Sequence, residues 1–166
     1  MTTAFAFAAT AFLSLCLQDK EYHEFDYWSA FKTGSTVTLK MEMEGGCAKV
    51  AVQMTKTLLE VAPDKVVIEH KSKIIVNGME QPESTQKEEI LKDKDKTPIK
   101  VEKEGDEEIE VGGKKIKCHW IEGTQSESKS KVWISKDIPG GVARGEISGG
   151  KFPGVLKVSA VSWEKK

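Results

Sequence analysis

Val37-Thr-Leu-Lys-Met-Glu-Met-Glu-Gly-Gly46 sets the fold class. Val37, Leu39, Met41 and Met43 alternate with Thr38, Lys40, Glu42 and Glu44, a period of two that puts apolar side chains on one face of a strand and polar ones on the other. Gly45-Gly46 then turns the chain. Val50, Val52 and Met54 resume the alternation and it runs on to Val61. Pro63-Asp64 makes the next turn, after which Val66, Ile68, His70, Ser72, Ile74 and Val76 share one face of a long strand. Asn77-Gly78 is a strong two-residue hairpin signal.

The same pattern continues towards the C-terminus. A strand is expected near Thr85–Leu91, then a polar loop through Lys92–Lys96 and a further strand after Pro98. Glu107–Val111 and Lys114–Ile121 flank Gly112-Gly113. Lys129–Ser135 and Val142–Ser148 flank the turn residues Asp137-Ile-Pro-Gly-Gly141, and a last strand spans Val155–Trp163. Ahead of the strands, Tyr22, Phe25, Trp28 and Phe31 recur every three residues and predict a short amphipathic helix over Glu21–Lys32, closed by Gly34-Ser35. The expected fold is therefore mainly β: one domain over residues 19–166, nine or ten strands in an antiparallel meander curved into a half-barrel, with one short N-terminal helix. Helical patterns do not recur between strands, which excludes a doubly wound nucleotide-binding fold.

Residues 1–18, Met1 to Gln18, carry no charged side chain before Asp19-Lys-Glu21 breaks the run. This apolar segment is short for a membrane-spanning helix and suits a secretory signal, so the protein is expected to be exported to the periplasm, the cell envelope or the medium. Three outcomes stay open: cleavage, acylation at Cys16 within Leu13-Ser-Leu-Cys16, or a retained anchor. Membrane contact would arise only through a retained or acylated N-terminus. Of the remaining cysteines, Cys47 and Cys118 either pair or stay separate thiols; spacing alone does not decide.

Charge excludes some functions. The net charge is −1, and Arg144 is the one arginine among 25 basic residues, so nucleic-acid recognition is not expected. The distribution is uneven: Glu83–Glu110 holds eleven acids and six lysines, whereas Val111–Lys166 holds five acids and eleven bases. The acidic segment is a candidate docking surface.

Chemistry-bearing residues form no catalytic pattern. His23 lies near Asp19 and Asp26 in a charged segment, His70 sits among valines and isoleucines, and His119 points away from Cys118 and Trp120. There is no Gly-x-Ser-x-Gly elbow, no cysteine placed with a base, and no glycine-rich loop opening a helix. No enzyme, cofactor or metal is expected. Met41, Met43 and Met54 stand instead on adjacent strands beside Val37, Leu39, Val50, Val52 and Ile68, and flexible thioethers adapt to varied apolar partners. These residues are the candidate lining for an apolar ligand, a lipid or lipopeptide, with His70 or Arg144 orienting a head group. The alternative is an interaction or structural module of the envelope, docking a protein through a sheet edge or the acidic segment.

Two segments carry a resemblance. Glu107-Glu-Ile-Glu-Val-Gly-Gly-Lys-Lys-Ile-Lys-Cys118 and Lys131-Val-Trp-Ile-Ser-Lys-Asp-Ile-Pro-Gly-Gly141 resemble a group of uncharacterised exported bacterial proteins with V-G-G-K-x-x-x-C and V-W-x-S-x-x-x-P-G-G segments. In layout the chain is similar to half-barrel periplasmic carriers of the lipoprotein-localisation type (LolA/LolB-like). That likeness implies an antiparallel sheet curled round an apolar concavity, and it transfers no functional residue.

Overall fold

The computed structural model describes residues 23–44, 50–93, 100–125, 127–149 and 154–166. The apolar opening segment with Cys16, the Gly45-Gly46 turn with Cys47, and residues 94–99 of the polar loop lie outside the described residues. One helix, α1 (Glu24–Ser29), precedes ten strands: β1 (Thr36–Glu44), β2 (Val50–Val61), β3 (Lys65–Val76), β4 (Met79–Glu80), β5 (Ser84–Leu91), β6 (Lys100–Val111), β7 (Lys114–Gln125), β8 (Ser128–Ile134), β9 (Val142–Gly149) and β10 (Val155–Glu164).

All ten strands belong to one antiparallel sheet that does not close into a barrel, in the order β4-β3-β2-β1-β10-β9-β8-β7-β6, with β5 continuing along β3 beside β4. The chain thus forms two meanders, β1–β5 and β6–β10, joined where the first strand pairs with the last. Covalent reach makes the sheet curl. Eight inter-strand spacings would separate β5 from β6 by about 38 Å if the sheet were flat. The nine peptide steps from Leu91 to Lys100 span at most about 32 Å. Curling brings the far hairpin back over the middle of the sheet: a Cβ on Gly112 would lie 2.6 Å from the Val161 carbonyl oxygen of β10.

The turns follow their sequence signals. Asn77 and Gly78 both have positive φ, 51° and 83°, as do Gly112 and Gly113, 56° and 73°. These are the conformations a tight two-residue hairpin requires. Two elements differ from the sequence reading. The helix ends at Ser29 rather than Lys32, because the chain then turns into the sheet, where Gly34 N–H donates to Leu58 O and Leu58 N–H to Ser35 O; Glu21 and Tyr22 of the expected helix lie outside the described residues. The segments expected after Pro98 and at Glu107–Val111 are one strand, β6. It runs through Gly105, whose cross-strand partner Trp120 covers it so closely that a Cβ there would meet the indole at 2.9 Å.

One face of the sheet is apolar. Leu39 pairs with Met54, Met41 with Val52 and Met43 with Val50 across β1 and β2, and Leu58 with Ile68 across β2 and β3. Phe25 and Trp28 of α1 join this core, Trp28 with no exposed surface. The other face carries a regular charge pattern. Lys103, Glu122, Lys131, Glu146, Lys157 and Glu42 stand opposite one another in sequence across β6, β7, β8, β9, β10 and β1. Opposite charges at directly facing positions are each worth roughly 0.2–1 kcal/mol, and a one-residue slip of any strand would break the row.

A double-mutant cycle at Glu146→Ala and Lys157→Ala is expected to give a favourable coupling of about 0.5 kcal/mol that shrinks as salt is raised. Urea unfolding at two ionic strengths measures it, and a coupling of zero at low salt would mean that the row has no energetic role.

Candidate functional site

Two polar features interrupt the apolar face. The first lies under α1. On β2 the alternation Val50, Val52, Met54 reaches Lys56 before returning to Leu58, so a lysine occupies an inward position. It is only 2% exposed. Its Nζ donates to Glu24 Oε1 at 3.0 Å, and Trp28 Nε1 donates to the same oxygen at 3.2 Å. His70 faces Lys56 directly across β2 and β3 and is also buried. His70 Nε2 is 2.9 Å from Glu88 Oε2, close enough for an ion pair, but the approach lacks hydrogen-bond alignment.

The helix is seated from the other side by the turn between β8 and β9. Gly140 and Gly141 have φ of 76° and 77°, and Cβ atoms there would lie 2.9 Å from the Trp28 ring and 2.5 Å from the Tyr27 ring. The Pro139-Gly-Gly141 turn is therefore a platform for two aromatic side chains, and only glycine provides both the backbone angle and the clearance. Ser135 N–H donates to Gly141 O at 2.8 Å and closes the loop.

The second feature is an open cleft of about 550 Å³ next to that platform. Tyr27 and the segment Ile134–Asp137 form one side; Asp106, Glu107 and Glu108 of β6 with Lys117, Cys118 and His119 of β7 form the other. The register places Asp106 opposite His119 and Glu108 opposite Lys117. His119 Nδ1 lies 2.8 Å from Asp106 Oδ1, and its Nε2 lies 3.5 Å from Glu104 Oε2. Burial, reinforced by the Asp26 carboxylate, raises the Tyr27 pKa and keeps the phenol protonated. Burial also pushes the Cys118 thiol up from about 9 to about 11, with the Glu107 carboxylate adding to the effect and Arg144 opposing it. Cys118 is a free thiol, and at this pKa it is no nucleophile near neutrality. Among the described residues, no group of three or more His, Cys, Asp and Glu side chains is arranged to hold a metal ion.

Behind the cleft, aromatic rings and cations stack. Lys131 Nζ lies 4.2 Å from the Trp120 ring centre and 4.7 Å from that of Trp133, with the Arg144 guanidinium 5.7 Å from Trp133. Trp133 Nε1 donates to Glu107 Oε1, and Arg144 Nη2 to the Glu110 carbonyl at 3.4 Å. These contacts bind the end of the β6–β7 hairpin to β8 and β9.

The ten residues proposed from sequence fall in separate places. Val37, Leu39, Met41, Met54 and Ile68 pack together in the main core, with half-buried Val52 against them. Val50 is buried and Met43 half-buried one register step further along. His70 belongs to the polar group with Lys56, and Arg144 stands on Trp133, apart from the others. None of the ten lines the cleft. Sequence reasoning passed over Glu24, Tyr27 and Lys56. Only Lys56 left a signal, as the one charge in an otherwise apolar alternation.

With this geometry described, comparison with known proteins gives the family. Residues 20–149 match the family described as a domain of unknown function (DUF4412), and the chain belongs to it. The match stops short of β10, which occupies the centre of the sheet. No curated protein matches. Among solved structures, a candidate exported protein of Bacteroides fragilis with a YmcC-like fold is similar at 8% identity and a TM-score of 0.49, over 81% of this chain and 97% of that one. MucB in complex with MucA(peri) is similar at 10% identity and a TM-score of 0.44, over 86% of this chain and 55% of MucB.

Two measurements probe this region. Removing one member of the buried pair, by Lys56→Ala or Glu24→Ala, is expected to cost roughly 3 kcal/mol by leaving the other charge buried, while Lys56→Met with Glu24→Leu recovers most of it. A double variant no more stable than the singles in urea unfolding would contradict this. For Cys118 the folded pKa lies above the ordinary value, so the thiol's contribution to stability is complete below about pH 9 and is lost as pH rises through about 11. Thiol titration of the folded protein at pH 8 should accordingly label Cys118 far more slowly than in urea.

Proposed function

We propose that this protein is an exported, non-enzymatic binding protein whose ligand is another protein, docked at the cleft between the α1 platform and the β6–β7 hairpin. The observation that carries this reading is the cleft lining: Asp106, Glu107, Glu108 and Lys117 on the β6–β7 wall, and Tyr27, Ile134, Lys136 and Asp137 on the other. The lining side chains are largely of charged types while the exposed lining area is mainly apolar, a mixture that suits a polypeptide bringing both charged and apolar side chains. The apolar side chains expected to line a lipid cavity pack against one another and against Phe25 and Trp28. Acid–base or nucleophilic chemistry has little support, since the one thiol in the cleft is held protonated and His119 is engaged by carboxylates. Export is the reading that the uncharged opening segment supports.

Native mass spectrometry of the gently purified protein, combined with lysine crosslinking in the intact cell envelope, tests this. The expected result is a clean apo mass and a protein crosslinked through Lys117 or Lys136. A bound mass that extracts into organic solvent would overturn the reading in favour of an apolar ligand.

A further inference from the structure

The last strand of the sheet identifies the kind of segment the cleft is built to meet. β6 pairs with β7 on one side, and no described strand pairs with its other edge. Near the hairpin tip that edge is covered, since Arg144 reaches the Glu110 carbonyl and Gly112 rests on Val161. From Asp106 to Glu108, three residues that line the cleft, the described residues supply no strand and no backbone hydrogen bond to the outward edge.

The turn fixes which backbone groups are on offer. Gly112-Gly113 make a two-residue hairpin, so the flanking pair Val111 and Lys114 exchange hydrogen bonds, and alternate pairs do the same. Ile109 and Glu107 therefore direct their N–H and C=O groups at β7, and Glu108 and Asp106 direct theirs outward. Side chains of residues two apart share a face, so the outward-facing backbone positions also carry aligned carboxylates, about 6.8 Å apart. Asp106 and Glu108 are both exposed. The opposite edge, β5, lacks this alignment, because its carboxylates Glu88 and Glu89 are adjacent and take opposite faces. Asp106 keeps most of its side chain exposed although one oxygen lies 2.8 Å from His119 Nδ1.

We infer that β6 accepts an extended basic segment of a partner protein as an additional strand, with lysine or arginine at every second position facing Asp106 and Glu108. Main-chain hydrogen bonds supply affinity and the carboxylate spacing supplies selection. The inference rests on the docking reading above and specifies its partner.

The test uses three nine-residue peptides and the full chain. One peptide alternates lysine with valine or threonine, the second has the same composition with its lysines contiguous, and the third replaces lysine with glutamate. Calorimetry should show salt-sensitive binding of the alternating peptide alone, and hydrogen exchange should show protection of the Asp106 and Glu108 amides in its presence. Glu108→Pro removes the outward N–H and leaves the β7 ladder intact, and it should weaken binding by at least about tenfold. Glu108→Gln, which keeps the N–H, should weaken it by roughly threefold. Equal binding of the contiguous-lysine peptide, or binding without protection of those amides, overturns strand addition. A dimer of the free protein with β6 already protected also overturns it, by making a second copy the occupant. If strand addition fails while the envelope crosslink through Lys117 or Lys136 persists, the docking reading stands without it.

Discussion

The antiparallel pairing of β1 with β10 holds the architecture together. Each half of the chain is a local meander in which every strand pairs with a sequence neighbour except β5, which skips β4 to pair with β3. Only when the first strand meets the last, from Thr36 opposite Glu164 to Glu44 opposite Val155, does a single sheet exist. Curvature follows, because the chain between β5 and β6 must reach from one edge to the other. Curvature in turn brings the β6–β7 hairpin over β10 and opens the cleft against the helix.

The helix shows how a short element is held where propensity would not keep it. Six residues are far too few for a stable isolated helix in water. Burial of Phe25 and Trp28, the glycine platform at 140 and 141, and the Glu24–Lys56 ion pair define its place instead. A buried ion pair adds little net stability compared with a well-packed apolar pair, but it has a strong orientational requirement. It admits α1 in one rotation about its axis, and that rotation delivers Tyr27 to the cleft. The same logic applies to the charge row on the opposite face, where alternation of sign across six strands favours one register over its neighbours.

The two resemblance segments have structural roles that explain their composition. Val111-Gly-Gly-Lys114 is the hairpin tip that rests on β10, with Lys114 5.0 Å from the Trp163 ring and Cys118 buried at the base of the cleft. Val132-Trp-Ile-Ser135 and the following Pro139-Gly-Gly141 give the cleft its far side and the helix its seat. Both segments converge on the same place, although twelve residues separate Cys118 from Lys131. That convergence supports the docking role proposed for the cleft.

Strands, turns and the apolar face were legible in the sequence because their signals are local: period-two alternation, and glycine or Asn-Gly at positive φ. The inward placement of Val37, Leu39, Met41 and Met54 could be read in the same way. What filled the space beside them could not, since it depends on α1 and Ile138 arriving from distant parts of the chain. The shortening of the helix, the continuity of β6 through Gly105 and the placing of Arg144 on Trp133 each depend on a partner that is remote in sequence. The sequence by itself determined a curved antiparallel meander with one apolar face. Tertiary structure alone decided that β1 pairs with β10, that the sheet stays open, and that a cleft carrying charged side chains lies beside the helix. The physical reason is that alternation specifies which face a side chain takes, whereas strand order and closure are set by pairing between residues far apart in the chain.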